Sequence, residues 1–62
     1  MRQNLKEARE RAGLTQCQVA QSCGITEISY QRIEYGTQTP SLKTAFRVAE
    51  VLKSTVDELF KS

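Results

Sequence analysis

Gln16–Tyr35, QCQVAQSCGITEISYQRIEY, reads as two short helices joined by a glycine turn. Ala20 stands four residues before Gly24, apolar Val19 and Cys23 flank them, Ile25 follows the glycine, and Tyr30 and Ile33 lie three apart on the second segment. Each position has a steric task. A small residue at 20 lets two helices cross closely, and Gly24 supplies the positive φ that ends the first one. Ile25, Tyr30 and Ile33 then fasten the second helix to the core and leave its other side free. This is helix-turn-helix spacing, and a rigid, unpacked helix face fits a major groove.

Outward from that unit the pattern predicts five helices and no strands. The first runs from about Arg2 to Ala12, with Leu5, Ala8 and Ala12 on one face, and Gly13 stops it under Leu14. The second starts after Thr15, which completes a capping box with Gln18, and ends before Gly24. The third starts after Thr26 and ends before Gly36. After the loop GTQTPS, Ser41 caps a fourth helix from about Leu42 to Leu52. Its apolar set Leu42, Ala45, Phe46, Val48, Ala49 and Leu52 covers more than half the wheel, which predicts the central, most buried helix. Thr55 and Glu58 form another capping box and open a fifth helix carrying Val56, Leu59 and Phe60.

The 62 residues make one domain, 1–62, with 39% apolar residues, and a chain of that size buries only about 60% of its unfolded surface. No apolar run reaches the roughly 18 residues a bilayer span needs. The charged, helical start MRQNLKEARERAG is no export leader, so the expected place is the cytoplasm. Cys17 and Cys23 fall six residues apart on one helix, roughly 9 Å along its axis, too far to bond each other. With no histidine in the chain, no third soft ligand beside the two lone cysteines, no activated nucleophile pair and no room for a buried cleft, neither metal nor enzyme chemistry is expected. Nine basic and seven acidic residues give a net charge of +2 and a pI near 8.7. Any affinity for nucleic acid must therefore come from where the charge lies: Arg2, Lys6, Arg9 and Arg11 early, Arg32 on the third helix, Lys43 and Arg47 after the loop.

Leu5, Ala8, Arg9, the run GLTQCQVAQSCGIT, then IEYG, PSL, Ala49 with Leu52, and VDELF together resemble the Cro/C1-type (XRE-like) helix-turn-helix regulators of phages and bacteria. The agreement in register extends over nearly the whole chain. It implies an all-α, lambda-repressor-like bundle of five helices whose third helix reads double-stranded DNA. A sequence-specific transcriptional regulator follows, needing no cofactor and acting as a repressor that binds an inverted repeat as a homodimer. The alternative is an antitoxin-like interaction module that also binds its own operator. With no effector or cleavage domain expected after Ser62, control would fall to concentration, proteolysis or a partner.

At matched positions the resemblance assigns Gln16, at the start of the second helix, to a DNA phosphate, aided by the helix dipole. Thr26, Arg9, Thr37, Thr39 and Lys43 complete the expected phosphate set, although Thr37, Gln38 and Thr39 stand where relatives often carry lysine or arginine. Arg9 and Glu34 match a pair that ties the first helix to the end of the third. On the wheel, Tyr30 and Ile33 point inward, while Glu27, Ile28, Gln31 and Arg32 point outward and should meet the bases. Arg32 can fork onto guanine, Ile28 can cover a thymine methyl, and Gln31 can reach an adenine or a phosphate. Glu27 either accepts from cytosine N4 or only faces the helix dipole. Lys53 and Ser54 depart from the family's glycine and branched aliphatic, so Lys53 should adopt the αL conformation. Tyr30 replaces an aliphatic residue, with its hydroxyl expected to reach the surface. Val51, outside the core stripe of the fourth helix, is expected to join Val56 and Phe60 in a two-fold contact.

Overall fold

Thr15, Thr26, Ser41 and Thr55 each sit in extended backbone and accept a hydrogen bond from the N–H three residues on, so each closes a loop and starts a helix. In the computed structural model, which describes residues 1–61, the elements are α1 (Gln3–Arg11), α2 (Gln16–Cys23), α3 (Glu27–Tyr35), α4 (Leu42–Val51) and α5 (Val56–Phe60), with no strand among the described residues. Ser62, the expected end of the domain, lies outside them. The capping box of Thr15 and Gln18 is complete. At α5 only half a box forms: Thr55 accepts from the Glu58 N–H at 3.1 Å, while the exposed Glu58 side chain makes no return bond.

Gly24 ends α2 at φ 71 with its N–H on the Ala20 and Gln21 carbonyls, which turns the chain sharply into α3. Lys53 takes the corresponding position after α4 at φ 54, where the Ser54 N–H reaches back to the Ala49 carbonyl at 2.9 Å. The helix end survives without glycine, at a conformational cost of about 1 kcal/mol.

Leu5, Val19, Ala20, Tyr30, Ile33, Val48, Ala49, Leu52 and Leu59 form the buried cluster, drawing on every helix. Ala8, Leu14, Cys23, Ile25, Val51, Val56 and Phe60 pack around it. Helices α2 and α3 cross at Ala20, 1% exposed, where a larger side chain would hold them apart.

Several burial expectations require correction. Ala12 is exposed because it lies past the last turn of α1. Leu42 and Phe46 are 69% and 59% exposed, so α4 is not buried around more than half its circumference. The core takes the narrow stripe Ala45, Val48, Ala49 and Leu52, and Phe46 projects about 110° from its centre at 100° per residue. A chain this short has too little mass to cover the flank. Val51, off the stripe on the other side, is nonetheless half-buried against the cluster. Tyr30 is wholly buried, and its hydroxyl, rather than reaching solvent, has no hydrogen-bond partner among the described residues.

Candidate nucleic-acid interface

Helix α3 is short, and its inner side is spent on Tyr30, Ile33 and Glu34. The outer side therefore presents Glu27, Ile28, Arg32 and Tyr35 to solvent, with Gln31 half-buried at its edge. Ile28 is 60% and Tyr35 57% exposed, an unusual pair of large apolar groups to leave facing water on one nine-residue helix. The Arg32 side chain makes no hydrogen bond or ion pair among the described residues, so its guanidinium fork is available to a ligand. Its carbonyl is not: the N–H groups of Gly36, Thr37 and Gln38 and the Thr37 hydroxyl all converge on it. Thr26 holds the N-terminus through its bond to the Ser29 N–H, and Glu27 lies in the first turn, where a negative charge is favoured. Tyr35 was not among the residues anticipated for this face. Its spacing of three and seven from Arg32 and Ile28 was the available signal.

Behind this face the orientation of α3 is fixed by a polar network. Glu34, 2% exposed, receives the Arg9 Nε at 2.8 Å and the second Arg9 nitrogen at 3.1 Å, a bidentate fork. The third Arg9 donor holds the Leu14 carbonyl at 2.9 Å, so one guanidinium joins α1, the entry to α2, and α3. Gln16 donates to the same carboxylate at 3.2 Å and accepts from Gln31 at 3.3 Å. At the far end of α3, Arg2 donates to the Ile33 carbonyl at 3.0 Å while its backbone N–H bonds the Glu34 carbonyl. That cation sits at the negative end of the helix dipole and 5.4 Å from the Phe60 ring.

The network also sets the charge states. Burial acts to raise the Glu34 carboxyl, but the Arg9 fork, the nearby Tyr30 hydroxyl and Gln16 outweigh it and hold the group below the usual carboxylate range. Arg9 is raised by the same carboxylate against the opposing effect of burial. Tyr30 is pushed far above the ordinary phenol range by burial and by the Glu34 charge beside it. Burial likewise raises the Cys23 thiol.

Arg2, Arg9 and Arg47 all bond within the molecule, Arg47 at the surface, 52% exposed, through the Ser22 carbonyl and Glu50. Arg9, 12% exposed, spends three of its donors within the molecule, on Glu34 and the Leu14 carbonyl. Lys43 is exposed beside Cys23, Gly24 and Ile25 at the α2–α3 turn. Thr37 is exposed just beyond α3. Thr39 instead lines a groove of about 400 Å³ with Arg2, Pro40, Leu42, Ala45, Val56 and Phe60. Val56 and Phe60 are brought together there, whereas Val51 is not among the lining residues.

A helix-turn-helix family model matches residues 5–59. An HTH-type transcriptional regulator of Bacillus subtilis, YqaE, is 36% identical over 59 residues, covering 95% of this chain and 51% of that protein. An HTH-type transcriptional regulator of Archaeoglobus fulgidus is 32% identical over 60 residues, covering 97% and 86%. The cryptic phage CTXphi transcriptional repressor RstR of Vibrio cholerae is 30% identical over 59 residues, covering 95% and 53%. The chain spans about half the length of the Bacillus and Vibrio relatives and most of the archaeal one. No solved structure matches it.

Proposed function

Since the chain belongs to the Cro/C1-type helix-turn-helix family of DNA-binding transcriptional regulators, we propose that it is a repressor that reads an inverted-repeat operator as a homodimer in the cytoplasm. The observation that carries this reading is the outer face of α3, with Ile28 60% exposed and the Arg32 side chain unpartnered among the described residues, on a helix clamped from behind by Glu34 and Arg9. A rigid helix with free polar and apolar groups is suited to base edges, since its backbone is already ordered before binding. Arg32 forks onto a guanine, Ile28 covers a thymine methyl, and Gln31 and Glu27 take adjacent bases. Gln16, Thr26, Thr37 and Lys43 hold the flanking phosphates. The family consists of regulators rather than enzymes, and no helix of the described residues is long and apolar enough to cross a membrane.

Dimerisation through Val56 and Phe60 is supported by the exposed Leu42 on the same groove. An inverted repeat read by two copies requires their α3 helices about 34 Å apart, one turn of DNA. Selection of bound duplexes from random DNA tests the whole reading. The expected product is an inverted repeat with half-sites one helical turn apart, and recovery of unrelated sequences without a shared half-site would overturn it.

A further inference from the structure

The last carbonyls of a helix have no partner within it. In α3 they include those of Ile33 and Glu34, and both receive donors from one residue at the far end of the sequence. The Arg2 Nε donates to the Ile33 carbonyl, thirty-one residues away, at 3.0 Å, and the Arg2 N–H donates to the Glu34 carbonyl at 2.8 Å. The guanidinium of the same side chain lies over the Phe60 ring of α5 at 5.4 Å. Two residues on, Asn4 donates to the Glu58 carbonyl at 3.1 Å, so the start of the chain is bonded to α5 as well as to α3. Arg2 and Phe60 also line two hollows together: one, of about 470 Å³, reaches Gly36 at the end of α3, and the other is the groove of Leu42 and Val56. The pair is therefore the wall between that groove and the end of α3.

We infer that Arg2 is a positioning residue that carries occupancy of this groove to α3, so that a second copy seated against Val56 and Phe60 tightens the end of the recognition helix. The inference rests on the reading of α3 as that helix and of the groove as the two-fold contact. In the single chain Arg2 is half-buried, and water competes for its guanidinium. A copy covering the groove removes the competitor. Leaving the Ile33 carbonyl would then strand a cation against apolar Leu42 and Val56, whereas staying satisfies it twice, through the carbonyl at the negative end of the helix dipole and through the aromatic ring. By reciprocity, α3 held on DNA favours the seated arginine and hence the dimer. The arrangement requires arginine rather than lysine, since only a guanidinium combines an N–H beside its stem with a flat face that stacks.

The test is amide hydrogen exchange in the wild-type chain and in Arg2→Lys, which keeps the charge, at concentrations that sedimentation shows to be monomeric and dimeric. In the wild type, dimerisation should slow exchange at Gly36, Thr37 and Gln38 by about fivefold. The matching turn at Gly24 and Ile25, which does not line the groove, should be unchanged. In Arg2→Lys, compared where it too is a dimer, the slowing at residues 36–38 should vanish, and operator affinity should fall by about fivefold with every base preference kept. Exchange at residues 36–38 that ignores dimerisation in the wild type overturns the inference whether or not the variant folds. Equal slowing at both turns, equal slowing in Arg2→Lys, or undiminished operator affinity of that variant overturns it as well. A wild-type chain that is monomeric at every concentration removes the inference together with the two-fold contact. Failure of the reading of α3 shows separately, as base preferences that Arg32→Ala leaves unchanged.

Discussion

Arg9 and Glu34, twenty-five residues apart in sequence, meet through Nε and Oε2 at 2.8 Å with side chains 12% and 2% exposed. The contact orients α3 from behind, since the same guanidinium also grips the chain where it enters α2. A pair this buried adds little net stability over a well-packed apolar pair, but removing one member leaves the other charged and unpaired.

Glu34→Ala should therefore destabilise the fold by about 3 to 5 kcal/mol, against less than about 1 kcal/mol for Glu27→Ala, which loses only a helix-dipole interaction at an exposed site. Urea unfolding of the two variants gives the comparison. Equal midpoints would deny Arg9 its structural role.

The same pair makes stability depend on acid. The Glu34 carboxyl is lower in the folded chain than its ordinary value of 4.5, so the unfolded chain binds more protons as the pH drops. Its contribution is present in full above about pH 4.5 and is lost as the pH falls from there through the folded value. A pH series of melting curves should show a steeper acid decline for the wild type than for Glu34→Gln. Parallel declines would assign the acid sensitivity to other carboxylates.

At the end of α4, Lys53 holds φ at 54. Lys53→Gly should stabilise the fold by about 1 kcal/mol by relieving a side chain from the left-handed region. Thermal unfolding checks the sign, and a loss of stability would mean that the lysine contributes something beyond its backbone.

The parts of this fold written in local chemistry were legible before any coordinates. Gly24, Thr15, Thr26 and Ser41 fix where helices stop and start through bonds spanning a few residues, and Arg9 with Glu34 was recognisable through the family pattern. What escaped depends on the competition for limited interior. Six apolar residues on α4 were too many for a core that accommodates four of them, and no local signal says that Leu42 and Phe46 are the ones left out. Long-range polar contacts were equally hidden: Arg2 on the Ile33 carbonyl and Gln16 between Glu34 and Gln31 involve residues that read locally as surface groups.

The exposed Leu42 offers a clean probe of the dimer. Since it is 69% exposed in the single chain, Leu42→Glu should leave the folding of the protomer within about 0.5 kcal/mol of the wild type. If the groove with Val56 and Phe60 is the two-fold contact, sedimentation of the variant should shift to the monomer and operator binding should weaken. A wild-type chain that sediments as a monomer, both free and on DNA, would remove the dimer altogether.

The central claim is that the outer face of α3 reads bases, and Arg32 is its most decisive member. Competition binding over single-base operator variants, with the wild type and Arg32→Ala side by side, tests it most directly. The substitution should cost about 1 to 3 kcal/mol on the best operator and erase the preference for guanine at one base pair per half-site, leaving the others intact. A uniform loss of affinity with every base preference unchanged would make Arg32 a phosphate contact and contradict the assignment of this face.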